Sequence, residues 1–168
     1  MSMGAVLYRT GTMNASQLGG LYKTMPWTTG LSIVGAAAIS GFPLMCAFVS
    51  KSMIMVSAAE KGHTVIWLLL LFAAAGVLKH AGIKIPFFAF FAHDSGIRTK
   101  EAPINMLVAM AISASACIII GCFPQQTLYS LLPRDFDYNP YDLTHVVTQF
   151  QLLFFSAAAF AVLMLTNI

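Results

Sequence analysis

Long stretches without a single charged residue constrain this sequence more than any other feature. Four of them, at 24–50, 62–78, 102–133 and 143–168, contain no Asp, Glu, Lys or Arg. A helix needs about 20 apolar residues to cross the hydrocarbon core of a bilayer. Of the 168 residues, 58% are hydrophobic and 9% are charged, whereas a soluble domain carries roughly 25% charged residues. The sequence therefore predicts an all-α integral membrane protein and leaves no room for a soluble catalytic domain.

About four transmembrane helices account for most of the chain. They are predicted at 28–58, 64–92, 104–132 and 144–166, and the region 1–27 before them is predicted to hold the tail of a preceding helix and a cytoplasmic loop. The segment at 28–58 is unusually long for one crossing. This pattern is typical of a multi-pass membrane protein with short connecting loops.

Lys and Arg in the short loops predict the orientation, because cytoplasmic loops carry the excess of these residues. Four fall on one side of the membrane and two on the other, namely Arg9, Lys23, Arg98 and Lys100 against Lys61 and Arg134. The count predicts that the C-terminus is cytoplasmic, and the expected location is the cell (inner) membrane.

The first segment has the composition of a broken helix. Gly41 and Pro43 lie in its middle. Proline removes a backbone donor and clashes with the preceding turn, and glycine weakens the helix further. Broken helices survive at membrane depth where protein or a water-filled cavity satisfies the freed backbone groups, as at the ion sites of transporters. We therefore predict that this helix is discontinuous and that a functional site lies at the break.

Lys51 lies eight residues beyond Pro43, which corresponds to about 12 Å along a helix axis. Two interpretations are open. The half-thickness of the hydrocarbon core is about 15 Å, so the side chain could reach the headgroups as a snorkelling anchor. Alternatively, a cavity beside the break holds the amine at depth, where the residue has a functional role.

The second segment contains the basic residues Lys79, His80 and Lys84 within its apolar sequence. A lysine at the bilayer centre costs about 2.5–3.5 kcal/mol on insertion scales, so it needs a partner or a function. His80 and Lys84 share a helix face, and a histidine beside a lysine is typical of a proton relay. In the alternative interpretation Lys79 forms an ion pair between helices and His80 a buried hydrogen bond.

Enzyme signatures are absent from the sequence. It contains no nucleophile elbow, phosphate-binding loop, zinc-protease helix or haem-attachment motif. Cys46, Cys117 and Cys122 form no CxxC pair, so they are expected to be small packing residues and not metal ligands. No Lys/Arg run is dense enough for nucleic acid. We therefore predict no catalytic residue, no cofactor, no metal site and no nucleic-acid partner.

Residues 40–51, SGFPLMCAFVSK, resemble the small-Ser-Gly-x-Pro-Pro-x-x-Gly-Phe-x-Ser-Lys stretch of antiporter-like subunits in respiratory complex I and multisubunit Na+/H+ antiporters. The run LGGL at 18–21, followed by Met25-Pro26, is similar to the approach to that helix in the family. The run GIKIPFFAFF at 82–91 is similar to D-subunit relatives. Leu44 stands where the family has its second proline.

The resemblance implies a partial antiporter-like helical core, corresponding to the C-terminal part of a longer subunit. It also implies that the lysine after the break, here Lys51, passes protons across the membrane and that Lys84 extends this path. The expected function is cation/proton translocation as part of a multisubunit antiporter. Its expected partners are other membrane subunits, the lipid bilayer, protons and Na+ as the candidate cation.

Two alternative functions remain open. The chain could be a membrane subunit of a redox-driven proton pump, such as NADH:quinone oxidoreductase or a membrane hydrogenase, with no redox centre of its own. It could also be a truncated structural helical bundle that does not conduct. Whether the chain belongs to an enzyme depends on which of these is correct.

Overall fold

The structure, a computed structural model, describes residues 1–12, 14–132 and 138–166. Arg134, which contributes to the orientation count, lies outside the described residues. Within them the regular structure is helical, and short 3-10 turns occur at Ala15–Gln17, Leu21–Lys23 and Tyr129–Leu131. The longer elements are α1 (Ser2–Thr10), α2 (Pro26–Ser40), α3 (Cys46–Glu60), α4 (Thr64–Phe91), α5 (Ile104–Cys122), α6 (Pro124–Thr127) and α7 (Leu143–Leu165).

Three of the described helices, α4, α5 and α7, are each long and apolar enough to cross a membrane. Helices α2 and α3 have 15 residues each, which corresponds to only about 22 Å per helix. They follow one another with a short break between them, so the pair forms one discontinuous segment. The prediction of an all-α integral membrane protein is confirmed.

The break between α2 and α3 lies where the sequence predicts it. Helix α2 ends at Ser40, and Gly41 adopts the left-handed conformation with φ 75°. Pro43 follows, and α3 begins at Cys46. Glycine is the residue most often found at such a helix end because it has no Cβ to clash in this conformation. The predicted discontinuity at Gly41 and Pro43 is therefore confirmed.

Helix α4 crosses the whole structure but changes its winding on the way. It is α-helical over Thr64–Val77 and π-helical over Leu78–Lys84 and Phe87–Phe91. Gly82, in the first π-helical part, packs so closely on α2 that a Cβ there would overlap the hydroxyl of Ser40. Short π-helical stretches inside α-helices are frequent at functional sites.

Helix α5 is shorter than the predicted segment at 104–132, because it ends at Cys122. Pro124 follows two residues later and begins α6. A residue before proline is disfavoured in the helical conformation, and Phe123 leaves it with φ −124° and ψ 58°. The long apolar stretch in the sequence concealed this helix end.

The loop after α4 is fastened to the segment before α2 by an ion triad. The Asp94 carboxylate accepts hydrogen bonds from Arg98 at 2.6 Å and from Lys23 at 3.0 Å. Arg98, the backbone N–H of Gly96 and Lys23 together hold the pKa of Asp94 well below its usual value. The Arg98 pKa is raised in turn, mainly by its hydrogen bonds to Asp94. The loop therefore stays charged and paired near neutral pH.

Glu101, at the end of the same loop, caps α2. Its carboxylate accepts hydrogen bonds from the backbone N–H groups of Trp27 and Thr28 at 3.1 and 3.3 Å. The Thr28 hydroxyl also donates to it at 2.5 Å. The first N–H groups of a helix have no partner within the helix, and negative charge is favoured there. Glu101 thus fixes the start of the discontinuous segment.

Candidate functional site at the helix break

The C-terminal end of α2 leaves four carbonyl groups without partners inside the helix. Two of them are satisfied by the turn that follows. The backbone N–H of Phe42 donates to Ala37 at 3.0 Å, and that of Gly41 donates to Ala38 at 3.2 Å. This pair of bonds is the Schellman arrangement, which requires the left-handed conformation found at Gly41.

The remaining two carbonyl groups are satisfied by side chains from other helices. Lys51 of α3 donates through Nζ to the carbonyl of Ile39 at 2.6 Å. Gln149 of α7 donates through Nε2 to the carbonyl of Ser40 at 3.1 Å. Every carbonyl at the broken end thus has a partner, as membrane depth requires.

Lys51 therefore points back to the break from its position in α3. The end of α2 carries a partial negative charge of about half an elementary charge, which attracts the ammonium group. The residue is half-buried. The side chain bonds to protein at the break, as the site interpretation requires, although its role in proton transfer stays a prediction.

Contacts from the end of α5 and from the segment before α7 hold the other side of the break. The thiol of Cys122 approaches the carbonyl of Leu44 at 3.9 Å. The hydroxyl of Tyr141 donates to the carbonyl of Gly121, and its ring stacks on Phe48 with ring centroids 5.5 Å apart. A Cβ at Gly121 would overlap the carbonyl of Leu44. Glycine at this position therefore lets α5 reach the break.

A cavity of about 270 Å3 opens next to Lys51, between α3, α4 and α7. Its apolar walls include Trp67 and Leu71, and its polar lining consists of Lys51, Ser52, His145, Thr148 and Gln149. A single water molecule needs a cavity of only about 10–15 Å3 of this kind, together with polar partners. The cavity can hold several water molecules beside the lysine.

Lys79, His80 and Lys84 lie on a different surface. All three are exposed on α4, and none of them lines the cavity beside Lys51. Their side chains make no hydrogen bond or ion pair within the described parts of the chain. The structure therefore does not bring them together with Lys51, and their proposed relay stays a prediction.

Sequence reasoning missed His145 and Gln149. A signal for them exists, because His145, Thr148 and Gln149 are spaced at three and four residues in a mostly apolar helix. Such spacing places side chains on one helix face. A polar stripe on one face of a membrane helix indicates contact with protein or water.

Metal ligation finds no support at the break. Across residues 1–12, 14–132 and 138–166, no three His, Cys, Asp or Glu side chains are grouped closely enough to hold an ion. The three cysteines are free and half-buried. The side chains at the site are suited to hydrogen bonding and to accepting or releasing protons.

The fold and the site define a class of protein. It is a multi-pass helical membrane protein with a discontinuous helix, and a lysine beside a cavity caps the broken end of that helix. Residues 1–78 match the family model described as NADH:quinone oxidoreductase/Mrp antiporter, transmembrane. The chain is thus similar, over a little under half of its length, to the antiporter-like membrane subunits that this model describes.

Relatives of both branches of the family are similar to this chain. It is 30% identical to the A subunit of a Na(+)/H(+) antiporter of Alkalihalophilus pseudofirmus, over 79% of the chain and 18% of the relative. It is also 30% identical to the A/B subunit of a probable K(+)/H(+) antiporter of Rhizobium meliloti, over 76% of the chain and 14% of the relative. NADH-ubiquinone oxidoreductase chain 5 of Hippopotamus amphibius is 35% identical over 55% of the chain and 16% of the relative.

The chain thus spans less than a fifth of the length of these relatives. The relatives named above are A-type antiporter subunits and chain 5, so the more specific likeness to the D subunit stays a prediction.

Proposed function

We propose that this chain contributes to cation/proton translocation as part of a multisubunit antiporter and that Lys51 passes protons at the helix break. The observation that carries the proposal is the bond from the Lys51 amine to the carbonyl of Ile39, beside a cavity large enough for water. A lysine that only anchored the helix would extend to the headgroups. The antiporter subunits among the relatives support the choice of transport class.

The test is a pair of substitutions at Lys51 in the complete assembled complex. Lys51→Ala is expected to abolish most cation-dependent proton flux, measured by dye quenching in everted vesicles. Lys51→Arg is expected to preserve it only partly, because a guanidinium group has a pKa above about 12 and stays charged. A proton carrier must release and regain its proton, which arginine does not do.

Lys61 offers a matched control. It lies just beyond the end of α3, is exposed, and does not line the cavity. Lys61→Ala is expected to leave flux unchanged, and immunoblots establish equal subunit levels in all variants. Full flux in Lys51→Arg would support the snorkelling anchor. Full flux in both Lys51 variants would favour the non-conducting structural bundle.

We further propose that Lys79, His80 and Lys84 face another membrane subunit or a water-filled passage. A charged side chain exposed to lipid is costly, and all three are exposed on this chain. Cysteines substituted at the three positions should be protected from lipid-phase probes in the assembled complex. If lipid-phase probes label the cysteines at all three positions, these residues are not part of a proton path.

The same proposal places the protein in the cell (inner) membrane with its C-terminus in the cytoplasm. Support comes from the clustering of basic residues at one end of the structure, where Lys23 and Arg98 meet at Asp94 and Arg9 donates to the carbonyl of Glu101 at 2.9 Å. Basic loops lie preferentially in the cytoplasm. The test is a reporter fused to the C-terminus. A reporter that works only in the cytoplasm should be active there, and one that works only outside the cytoplasm should be inactive.

A second candidate function is proton pumping within a redox-driven complex of the NADH:quinone oxidoreductase or membrane hydrogenase type. The likeness to chain 5 of that enzyme favours it. The companion proteins separate the two functions, because a redox pump needs subunits with electron-carrying centres. Purification of the complex with such subunits would favour the pump, and purification with small membrane proteins alone would favour the antiporter.

A further inference from the structure

His145 shares the cavity beside the break with Lys51 and Gln149. It lies one helical turn before Gln149 in α7, which corresponds to about 6 Å along the axis. Helix α7 begins at Leu143, so His145 is close to the end of the membrane segment. The cavity therefore extends from the lysine toward the surface of the membrane.

Two neighbouring rings beyond this point each carry a buried polar atom. The Nδ1 atom of His145 and the hydroxyl of Tyr138 are both buried, and neither has a hydrogen-bond partner within the described residues. The two rings are neighbours, with centroids 6.1 Å apart. Buried polar groups in folded proteins are bonded to protein or to ordered water. A water molecule between the two rings would satisfy both atoms.

Tyr138 also lines a second cavity, of about 210 Å3, whose walls include Cys122 and Tyr141. Gln125, Gln126 and Asn139 contribute polar side chains to this cavity. They lie in the connection between α5 and α7, where the chain leaves the membrane. Tyr138 thus lines the second cavity, and its ring neighbours His145, which lines the cavity beside Lys51.

We propose that His145 transfers protons between Lys51 and the membrane surface at which α7 begins, with Tyr138 as the next group along the path. The inference rests on the proposed function. A proton from the Lys51 ammonium group passes through water to one imidazole nitrogen of His145. The other nitrogen then releases its proton to the water beside the Tyr138 hydroxyl, which leaves Lys51 as the neutral amine and the imidazole in its other tautomer. The cycle closes when Lys51 takes up the next proton from the translocation path and the imidazole exchanges a proton with cavity water.

Imidazole suits this role because it gains and loses a proton near neutral pH. The groups that face His145 within the described residues are Lys51 from α3 and Tyr138 from the preceding segment. The residues of α4 that line the cavity carry no titratable group. Asp142, on the same segment as His145, is bonded to the N–H of Thr144 at 3.3 Å and caps α7.

The test uses His145→Gln in the complete assembled complex, with proton flux in everted vesicles recorded across the pH range. Glutamine keeps the size and polarity of the side chain but cannot carry a proton. Flux is expected to fall at least about tenfold, a modest loss for removal of a proton-transfer group, and its pH dependence is expected to change. His63→Gln is the matched control, since His63 is exposed at the start of α4 and does not line the cavity.

A second variant separates proton transfer from a structural role. His145→Ala is expected to recover flux when imidazole is added to the same vesicles, because the free base fills the site and carries protons. A fall in flux that imidazole does not reverse would assign His145 a structural role and overturn the proposal.

Lys51→Ala, measured in parallel, distinguishes the two proposals. If it blocks flux while His145→Gln keeps the wild-type rate and pH profile, the proposal for His145 fails and the proposed function stands. If Lys51→Ala conducts normally, the proposed function itself fails.

Discussion

Gly82 offers the sharpest structural test of how the break is held. In α4 it faces Ser40, the last residue of α2, and an added Cβ would overlap the Ser40 hydroxyl while lying 3.4 Å from the Ser40 Cβ and from Leu78 Cδ1. The conflict is thus with one oxygen atom. That oxygen donates to the carbonyl of Ala36 at 2.6 Å, so it cannot move without breaking a hydrogen bond.

The magnitude follows from these contacts. Loss of the hydrogen bond costs about 0.5–1.5 kcal/mol, and overpacking costs typically 1–3 kcal/mol when the helices must separate instead. Gly82→Ala is therefore expected to lower the free energy of unfolding by about 1–3 kcal/mol. It is also expected to reduce proton flux, because displacement of Ser40 disturbs the carbonyl to which Gln149 donates.

Gly76→Ala is the control, since a Cβ at this position in the same helix meets nothing within 4 Å. It is expected to be neutral or stabilising by up to about 1 kcal/mol, because alanine favours the helix. The double variant Ser40→Ala, Gly82→Ala removes the oxygen and should recover most of the loss. Denaturation of the purified complex in detergent measures the coupling between the two positions.

The reasoning fails if Gly82→Ala unfolds and conducts like Gly76→Ala. It also fails if Ser40→Ala adds to the damage of Gly82→Ala instead of relieving it. Either result would mean that α2 and α4 do not approach closely at the break.

The loop that precedes α5 provides two further predictions. The depressed pKa of Asp94 means that its ion pairs contribute stability above the ordinary carboxyl pKa of about 3.9, and that this contribution is lost as the pH falls through the folded-state pKa. Asp94→Asn should therefore speed trypsin cleavage after Lys23 and Arg98 in inside-out vesicles, and high salt should do the same. Unchanged cleavage under both conditions would contradict the ion triad. Glu101→Gln should lower the free energy of unfolding by about 1 kcal/mol in a denaturant titration, because the cap of α2 at Thr28 loses its charge. Glu60 is exposed at the end of α3, so the control variant Glu60→Gln should not lower it.

The parts of the fold that depend on local sequence could be predicted. Apolar length indicated the helices that cross the membrane, and Gly41 with Pro43 indicated the break. The end of α5 was missed because hydropathy continues through Pro124 to residue 132, and hydropathy does not report backbone geometry. The π-helical winding at Leu78–Lys84 was missed for a similar reason, since it depends on how α4 packs against α2.

The candidate site was predictable only in part, because its contacts join distant parts of the chain. Lys51 could be singled out as a charge within an apolar segment. The side chain that bonds to the Ser40 carbonyl could not be predicted, since Gln149 lies 109 residues after Ser40. The spacing of Gln149 with His145 and Thr148 indicates a polar face on α7, but only the packing of α7 against the break identifies the carbonyl to which the amide donates.

Leu44 explains why the break depends on distant contacts as well as on its own sequence. Its φ of 71° is unique among the non-glycine residues that the structure describes, and this conformation costs about 1–2 kcal/mol for a residue with a Cβ. A proline at this position could not adopt it, because its ring fixes φ near −65°. The chain therefore forms its break with a backbone that the family's second proline would forbid. The compensation comes from α5, where the absence of a side chain at Gly121 lets the helix end pack directly on the Leu44 carbonyl and Cys122 contacts the same oxygen.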